Sequence, residues 1–470
     1  MKNKSNILSI SKQVNKFCSI AIFGLLITLS SCDDFVEVPL PNSQLTGTTV
    51  FESELTANAA MAQVYIQLRD GGILTGLATG SSVNLGLYAD ELQDYTTSTI
   101  SLPIYNNALT ADNATVSTLW KSSYSQIYNV NSIINGVENS TNLSTPVKNQ
   151  LKGESLFVRA LVHFYLMQMY GKIPYITGTN YEVNRQVPRL PETEVYDAIE
   201  TDLVEAKGLL TDAYLSPDKA RPNKMAVHAL LSRVYLYRNK NLEAINEATT
   251  IINSPLYVWE NDLNKVFQRN STTTIWQFAS ATPVKNTNEG SIFIFVSGPP
   301  PLCALRSDFI NAFETGDQRK VKWTKAVTNG ANTWYHPLKY KLRIATTSSQ
   351  EYSVILRLAE QYLIRAEARA KQGDLIGAKE DVDLIRNTAG LTNTTAITAT
   401  EIVEEIQKQR RFELFTEYGH RFLDLKRRGT INSVLSLAKP GWNNSDVVWP
   451  IPDSELIVNP NLLPQNTGYQ

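Results

Sequence analysis

Residues 352–386, YSVILRLAEQYLIRAEARAKQGDLIGAKEDVDLIR, decide the fold. Apolar residues at Ile355, Ala359, Tyr362, Ala366 and Ala370 recur every three or four positions, which puts them on one face of a helix. Gly373-Asp374 breaks the pattern, and Ala378, Val382 and Ile385 restart it. The small residues Ala366 and Ala378, one on each arm, let two backbones approach closely, which is the physical content of a tetratricopeptide-type helix pair. Downstream, Glu401 to Gly429 reads as another helical run. Ile402, Ile406, Phe412, Phe415, Leu423 and Leu425 carry its apolar side. Charges crowd in between, and Glu417 can pair with Arg421 at i,i+4 if the helix continues through Gly419. Upstream, Met225 to Tyr237 and Leu242 to Ile252 form a second hairpin, in which Asn239-x-Asn241-Leu242-x-Ala244 echoes Gly373-Asp374-Leu375-x-x-Ala378.

Two blocks of residues carry a family resemblance. The first is Gln409-Arg410-Arg411-Phe412-Glu413-Leu414-Phe415-Thr416-Glu417-Tyr418-Gly419-His420-Arg421-Phe422-Leu423-Asp424-Leu425-Lys426-Arg427. The second closes the chain: Trp449-Pro450-Ile451-Pro452, Glu455, Asn459-Pro460-Asn461-Leu462, then Gln465-Asn466-x-Gly468-Tyr469. Together, in this order, they resemble the signature of the SusD/RagB family of Bacteroidetes outer-membrane nutrient-binding lipoproteins. The resemblance implies a mainly α fold of tetratricopeptide-type helix pairs, with a loop-rich mixed insertion and few short strands. It implies a cell-surface lipoprotein that binds an oligosaccharide without catalysis and passes it to a SusC-like TonB-dependent outer-membrane transporter. In that family the motif is structural, so Glu417, His420, Arg421 and Asp424 are expected to brace the scaffold.

The amino terminus reads as a leader. Lys2, Lys4, Lys12 and Lys16 make a basic region, and the apolar run from Phe17 to Leu29 is too short to span a bilayer. Leu29-Ser30-Ser31-Cys32 resembles a bacterial lipobox, so residues 1–31 are expected to be removed and Cys32 to carry the lipid anchor. Removing four lysines and no acids takes the net charge from −1 to −5. A near-neutral to acidic chain with no basic aromatic patch argues against a nucleic-acid partner. Only Cys303 then remains as a thiol, which leaves no intrachain disulfide. The expected organisation is a tether over 32–50 and a single domain over 51–470. Within that domain, 51–256 and 351–429 are the helical scaffold, about 257–350 a variable insertion and 430–470 an extended end.

Along the mature chain, Phe51 to Leu68 reads as a helix with Leu55, Ala59, Ala62 and Ile66 on one side. Asp70 to Leu109 is loop with short helical pieces. Thr118 to Val137 and Val147 to Tyr170 are helices, the latter amphipathic through Leu151, Ser155, Val158, Val162, Tyr165 and Met169. His163 within it reads as a packing histidine. Ile275 to Phe278 and Ser291 to Val296 alternate like strands.

Sugars offer C–H faces to aromatic rings and hydroxyls to polar side chains, and the insertion sets the two together. The candidate ligand-binding residues are Trp323, Trp334 and Tyr335 from the insertion, with Tyr95 and Asp90 from the early loops. Asp90 reads equally as a cap, and Tyr88 and Tyr105 equally as core. Trp276 is excluded, because its strand needs inward bulk. The chain has no His-Glu-x-x-His, no Gly-x-Ser-x-Gly and no phosphate-binding loop. Its four histidines lie at no metal-ligand spacing. No cofactor, metal or catalytic residue is expected. Three alternatives stand beside glycan capture: peptide binding on the same fold, as in RagB-like members; a repeat-based protein–protein adaptor; and a hydrolase.

Overall fold

Helix α1, Glu54–Asp70, begins at Ser53, whose hydroxyl accepts from the Thr56 amide, supplying a partner that the first turn lacks. It buries Ala57, Met61, Val64 and Leu68, whereas Leu55 and Ile66 are exposed. The expected apolar stripe is therefore corrected by a partial turn: alanine-rich spacing fits two phases, and the larger Met61 and Leu68 take the core. The computed structural model describes residues 49–469. The leader, Cys32 and nearly all of the tether lie outside the described residues.

The helices that follow stack in sequence. Helix α2 is Ser81–Tyr88, α3 Ala114–Asn139, α4 Thr145–Tyr170, α5 Glu192–Leu209, α6 Lys224–Tyr237 and α7 Asn241–Ile252. The scaffold resumes with α8 Leu358–Lys371, α9 Leu375–Thr388, α10 Ala399–Glu413, α11 His420–Arg427 and α12 Ile431–Ala438. Each long helix packs on its neighbours in the order α1, α3, α4, α5, α6, α7, α8, and α8 meets both α9 and α10. Helix α7 touches α8 directly although the whole segment 253–357 separates them in sequence.

The α8–α9 hairpin has the expected interior. Ala359, Ala366, Ala370, Ala378, Val382 and Ile385 form one buried cluster with Ile402 and Ile406 of α10. Asp374 caps α9 through the Gly377 amide at 2.9 Å. A Thr398–Glu401 capping box opens α10. Ile355, however, is not in the helix: residues 353–357 are a strand. From Gly153 to Tyr170 every residue of α4 is buried, so this helix is central and not amphipathic, because other elements cover its polar face as well. There Arg159 binds Asp202 at 2.6 and 2.7 Å.

Among the described residues the strands form two small sheets. Strands β1 Leu92–Asp94, β3 Cys303–Leu305, β4 Thr324–Asn329 and β5 Asn332–Pro337 form an antiparallel sheet in the order β1-β3-β5-β4. Strands β2 Thr274–Phe278 and β6 Ser353–Arg357 pair antiparallel. No strand forms over Ser291 to Val296: its first three residues end the helix Asn288–Phe293, capped by Thr287 at the Gly290 amide, and the rest is loop.

Candidate site on the outer face of the four-stranded sheet

The β4–β5 hairpin turns through Gly330 and Ala331, with Asn329 opposite Asn332 and Gly330 at φ +61°. A two-residue hairpin turn needs a positive φ at its first central residue, which glycine supplies. Opposed residues of antiparallel strands share a face. Val327 with Trp334, Lys325 with His336, and Gln93 with Ala304 therefore point to one side. Leu305 with Tyr335 and Leu92 point to the other. The second side is the inner one: Leu92, Cys303 and Leu305 belong to the main core and Tyr335 packs against it. Burial pushes the Cys303 thiol up to about 12, so it is inert.

The outer side holds a small separate cluster, Phe295, Ala304 and Val327, with Tyr95 and Trp334 packed on it. Both aromatic rings are half-buried. Their centroids lie 6.4 Å apart with planes at 88°, an edge-to-face contact that fixes both rings. Gly298 lies against the Trp334 six-membered ring: a Cβ there would come within 2.0 Å of Cζ3. The Gly298 carbonyl accepts from the Asn329 amide nitrogen at 2.9 Å. Lys325, Asn329 and Asn332 are exposed around this centre, and Gln93 is half-buried. A rigid indole edged by amide and ammonium groups can take an apolar ring face and bind its hydroxyls.

Of the five sequence candidates, the structure brings Tyr95 and Trp334 together. Tyr335 is on the inner face. Trp323 is corrected: it is fully buried, its Nε1 donates to the Leu263 carbonyl at 2.8 Å, and Phe267 packs at its edge. No ring face is left for a ligand. Asp90 is also corrected. It is buried and accepts from Arg421 at 2.7 and 2.8 Å and from Arg411 at 3.1 Å. Burial opposes its charge, yet Arg421 and Arg411 hold its pKa below the ordinary value. Every oxygen of this carboxylate is taken. Gln93, Asn329 and Asn332 were not singled out from the sequence. The turn Gly330-Ala331, with glycine at its first central position and the strand-like run Thr324 to Asn329 before it, is the signal that locates two of them.

The charged run divides into separate buried clusters, one around Glu413 and Glu417, one around Asp424 and one around Asp90. Helix α10 ends at Glu413; Thr416, Tyr418 and Gly419 take positive φ, and α11 restarts at His420. The i,i+4 pairing of Glu417 with Arg421 is thereby ruled out. Glu417 instead accepts from Arg357 Nε at 2.8 Å and Nη2 at 2.9 Å, and closely from Lys339 Nζ. Burial opposes its charge, but Arg357 and Lys339 pull its pKa down to about 2. Burial draws Lys339 down to about 8 in spite of Glu417. Asp424 accepts from Arg410 at 2.7 Å and Arg427 at 2.8 Å, and these cations hold its pKa low against burial. Burial lowers His420 to about 4. His163 donates from Nδ1 to the Arg159 carbonyl at 2.9 Å and accepts at Nε2 from the Ile176 amide at 3.2 Å. Its ring stacks on Tyr175 at 3.9 Å.

Residues 41–236 match a family model described as "Starch-binding associating with outer membrane", of the SusD-like type, and residues 313–469 match the model of the SusD family. The two matches do not overlap and together span most of the chain.

The chain belongs to the SusD family.

SusD-like protein P2 of Formosa agariphila is 25% identical, covering 96% of this chain and 99% of its own. A SusD superfamily structure from Bacteroides vulgatus superposes with a TM-score of 0.76 at 21% identity, covering 90% of this chain and 100% of that one. A structure described as a laminarin binding SusD-like protein gives 0.76 at 23% identity over 88% and 99%. In this SusD-family chain the second matched region contains α10, α11 and the β4–β5 hairpin. The Glu417 and Asp424 contacts and the Trp334 strand therefore lie within one matched segment, Tyr95 lies within the other, and the Asp90 contacts join the two.

Proposed function

We propose that the protein captures a glycan on the outer face of the four-stranded sheet. It does so by binding alone, and hands the glycan to a SusC-like TonB-dependent transporter in the outer membrane, to which a lipid on Cys32 anchors it. The observation that carries this reading is the perpendicular, half-buried pair Trp334 and Tyr95 at the solvent side of the sheet, ringed by Lys325, Asn329 and Asn332. Stacking on a locked indole gives a sugar ring affinity at little entropic cost, and the amides select its hydroxyls. The family description as starch-binding and the laminarin-binding neighbour support a glycan as cargo. Among the described residues no helix is long and apolar enough to cross a membrane.

Affinity electrophoresis of the protein lacking residues 1–32 through gels containing laminarin, soluble starch or polygalacturonate tests this directly. Retardation by at least one of these glycans is expected. Unretarded migration in all of them, together with binding to a peptide mixture, would transfer the cargo to peptides. Co-purification of the full chain with a TonB-dependent transporter from outer membranes tests the partner. Cleavage products in the same incubations would contradict binding alone.

A further inference from the structure

We infer that the cleft between α10 and the α11–α12 segment is a second binding site, for an oxyanionic group such as a sulfate or a carboxylate. An open cleft of about 400 Å³ is lined by Gln407, Lys408 and Arg411 of α10, by Arg421 of α11 and by Arg428, just beyond its end. At its base a cavity of about 10 Å³ shares the walls Gln407, Arg411, Arg421 and Arg428 and adds Arg410 and Glu91. Arg410 is fully buried. Its Nε is spent on Asp424 at 2.7 Å, but neither Nη1 nor Nη2 has a hydrogen-bond partner among the described residues, and Arg411 Nε is likewise unpartnered.

A guanidinium has five N–H donors, and leaving them unmade in a buried place is costly. Planar guanidinium groups match the paired oxygens of sulfate and carboxylate. The acidic groups nearby are already engaged: Asp90 by Arg411 and Arg421, Asp424 by Arg410 and Arg427, and Glu404 by Arg428. The remaining one, Glu91, has an unpartnered Oε1. Burial, and then Asp90, push its pKa up to about 7. When protonated it adds a donor to the cavity. A cavity of this size admits about one oxygen-sized group, so the base accommodates one oxygen of the anion and the cleft the rest of the molecule. This site shares no residue with the Trp334 face and stands independently of it.

The test is calorimetric titration of the soluble protein with sodium sulfate, with ionic strength held constant by sodium chloride. The wild type is compared with Arg428→Gln and Lys408→Gln. Both residues lie at the mouth and, on the protein side, engage only partly exposed Glu404 and Glu314. Each variant is expected to melt like wild type without sulfate. Saturable sulfate binding in wild type, weakened about tenfold in Arg428→Gln, is the expected result. Glucose 6-sulfate and glucuronate, titrated in parallel, assign the source. Tighter binding than sulfate means that the anion belongs to a sugar, and weaker binding means a free ion, either of which sustains the site. Trp334→Ala is expected to leave sulfate binding unchanged, which separates this site from the glycan face. No saturable sulfate binding in wild type, or equal affinity in both variants and wild type, would overturn the inference and leave a single water between Glu91 and Arg410.

Discussion

Replacing Glu417 by glutamine removes one charge and almost no volume from the junction between α10 and α11. The wild-type carboxylate takes three charged hydrogen bonds, two from Arg357 and one from Lys339. Both cations are nearly inaccessible to water, at 3% side-chain exposure. Arg357 would keep Glu413, at 2.7 Å to its carboxylate and 2.8 Å to its carbonyl. Lys339 would keep only the Glu413 and Phe415 carbonyls, at 2.7 and 2.8 Å. The glutamine amide would also turn a donor toward one of these donors. Holding the Glu417 pKa at about 2 against the ordinary 4.5 corresponds to about 3 kcal/mol at neutral pH. Breaking a buried pair from one side costs about 3–5 kcal/mol, in agreement. With an unfolding entropy of about 2.1 cal/mol/K per residue, the unit Gly47–Gln470 loses roughly 0.9 kcal/mol of stability per degree near Tm, so Tm should fall by about 4 °C. Differential scanning calorimetry at pH 7 measures this. The folded pKa is depressed, so the contribution is complete above 4.5 and is lost as pH falls toward 2. The gap between wild type and Glu417→Gln should therefore narrow by about a quarter at pH 4. An unchanged Tm at pH 7, or a gap that stays constant down to pH 4, would refute the pairing as a source of stability.

Three further outcomes follow from the same structure. Gly298→Ala would drive a methyl into the Trp334 ring, so glycan affinity in an electrophoretic gel should drop about tenfold or more. The melting curve should hardly change, since the loop is at the surface; undiminished retardation would show that the indole position is unimportant. His163 and His420, drawn down by burial to about 3 and 4, lose stability as pH falls below about 6.5. Glu91 and Glu351, raised by burial to about 7, gain stability as pH falls from 7 toward 4.5. The two opposed pairs should give a nearly flat Tm between pH 5 and 6.5 and a steep fall below 4, with neutral imidazole signals for both histidines in NMR spectra at pH 5; protonated signals there would contradict the burial argument. Finally, Cys32→Ala should abolish metabolic lipid labelling while the secreted protein melts as before, and persistent labelling would place the anchor elsewhere.

The scaffold was legible where period and packing agree. Ala359, Ala366, Ala378 and Val382 occupy the interior of their hairpin because small residues at helical spacing fit only there. Ile355 also falls on that period, but it belongs to β6, whose partner β2 is some eighty residues away and leaves no local mark. The break before α11 depends on left-handed backbone at Thr416 and Tyr418, residue types that do not advertise it. In the site, Trp323 and Trp334 look alike as sequence, each near lysine and threonine. They differ only through distant partners: Leu263, Phe267 and Lys339 close over Trp323, while Trp334 lands on the outer side of a strand. Asp90 reads as ligand or cap in the sequence because the arginines that claim it lie more than three hundred positions downstream. Sheet faces and ion pairs between remote segments are properties of the folded chain, and these are the features that periodicity could not supply.

The most direct test of the glycan face is calorimetry with laminarihexaose and maltoheptaose on four proteins: wild type, Trp334→Ala, Trp323→Phe and Tyr335→Phe. Aromatic stacking is worth roughly 1–3 kcal/mol, with a sugar face taken near the low end. If wild type binds either oligosaccharide, Trp334→Ala should weaken that binding by about tenfold. Trp323→Phe, buried away from solvent, and Tyr335→Phe, on the inner face, should bind as wild type does once an unchanged melting curve is verified. Wild-type affinity in Trp334→Ala, or a loss confined to Tyr335→Phe, would contradict the assignment of the outer sheet face as the site of capture.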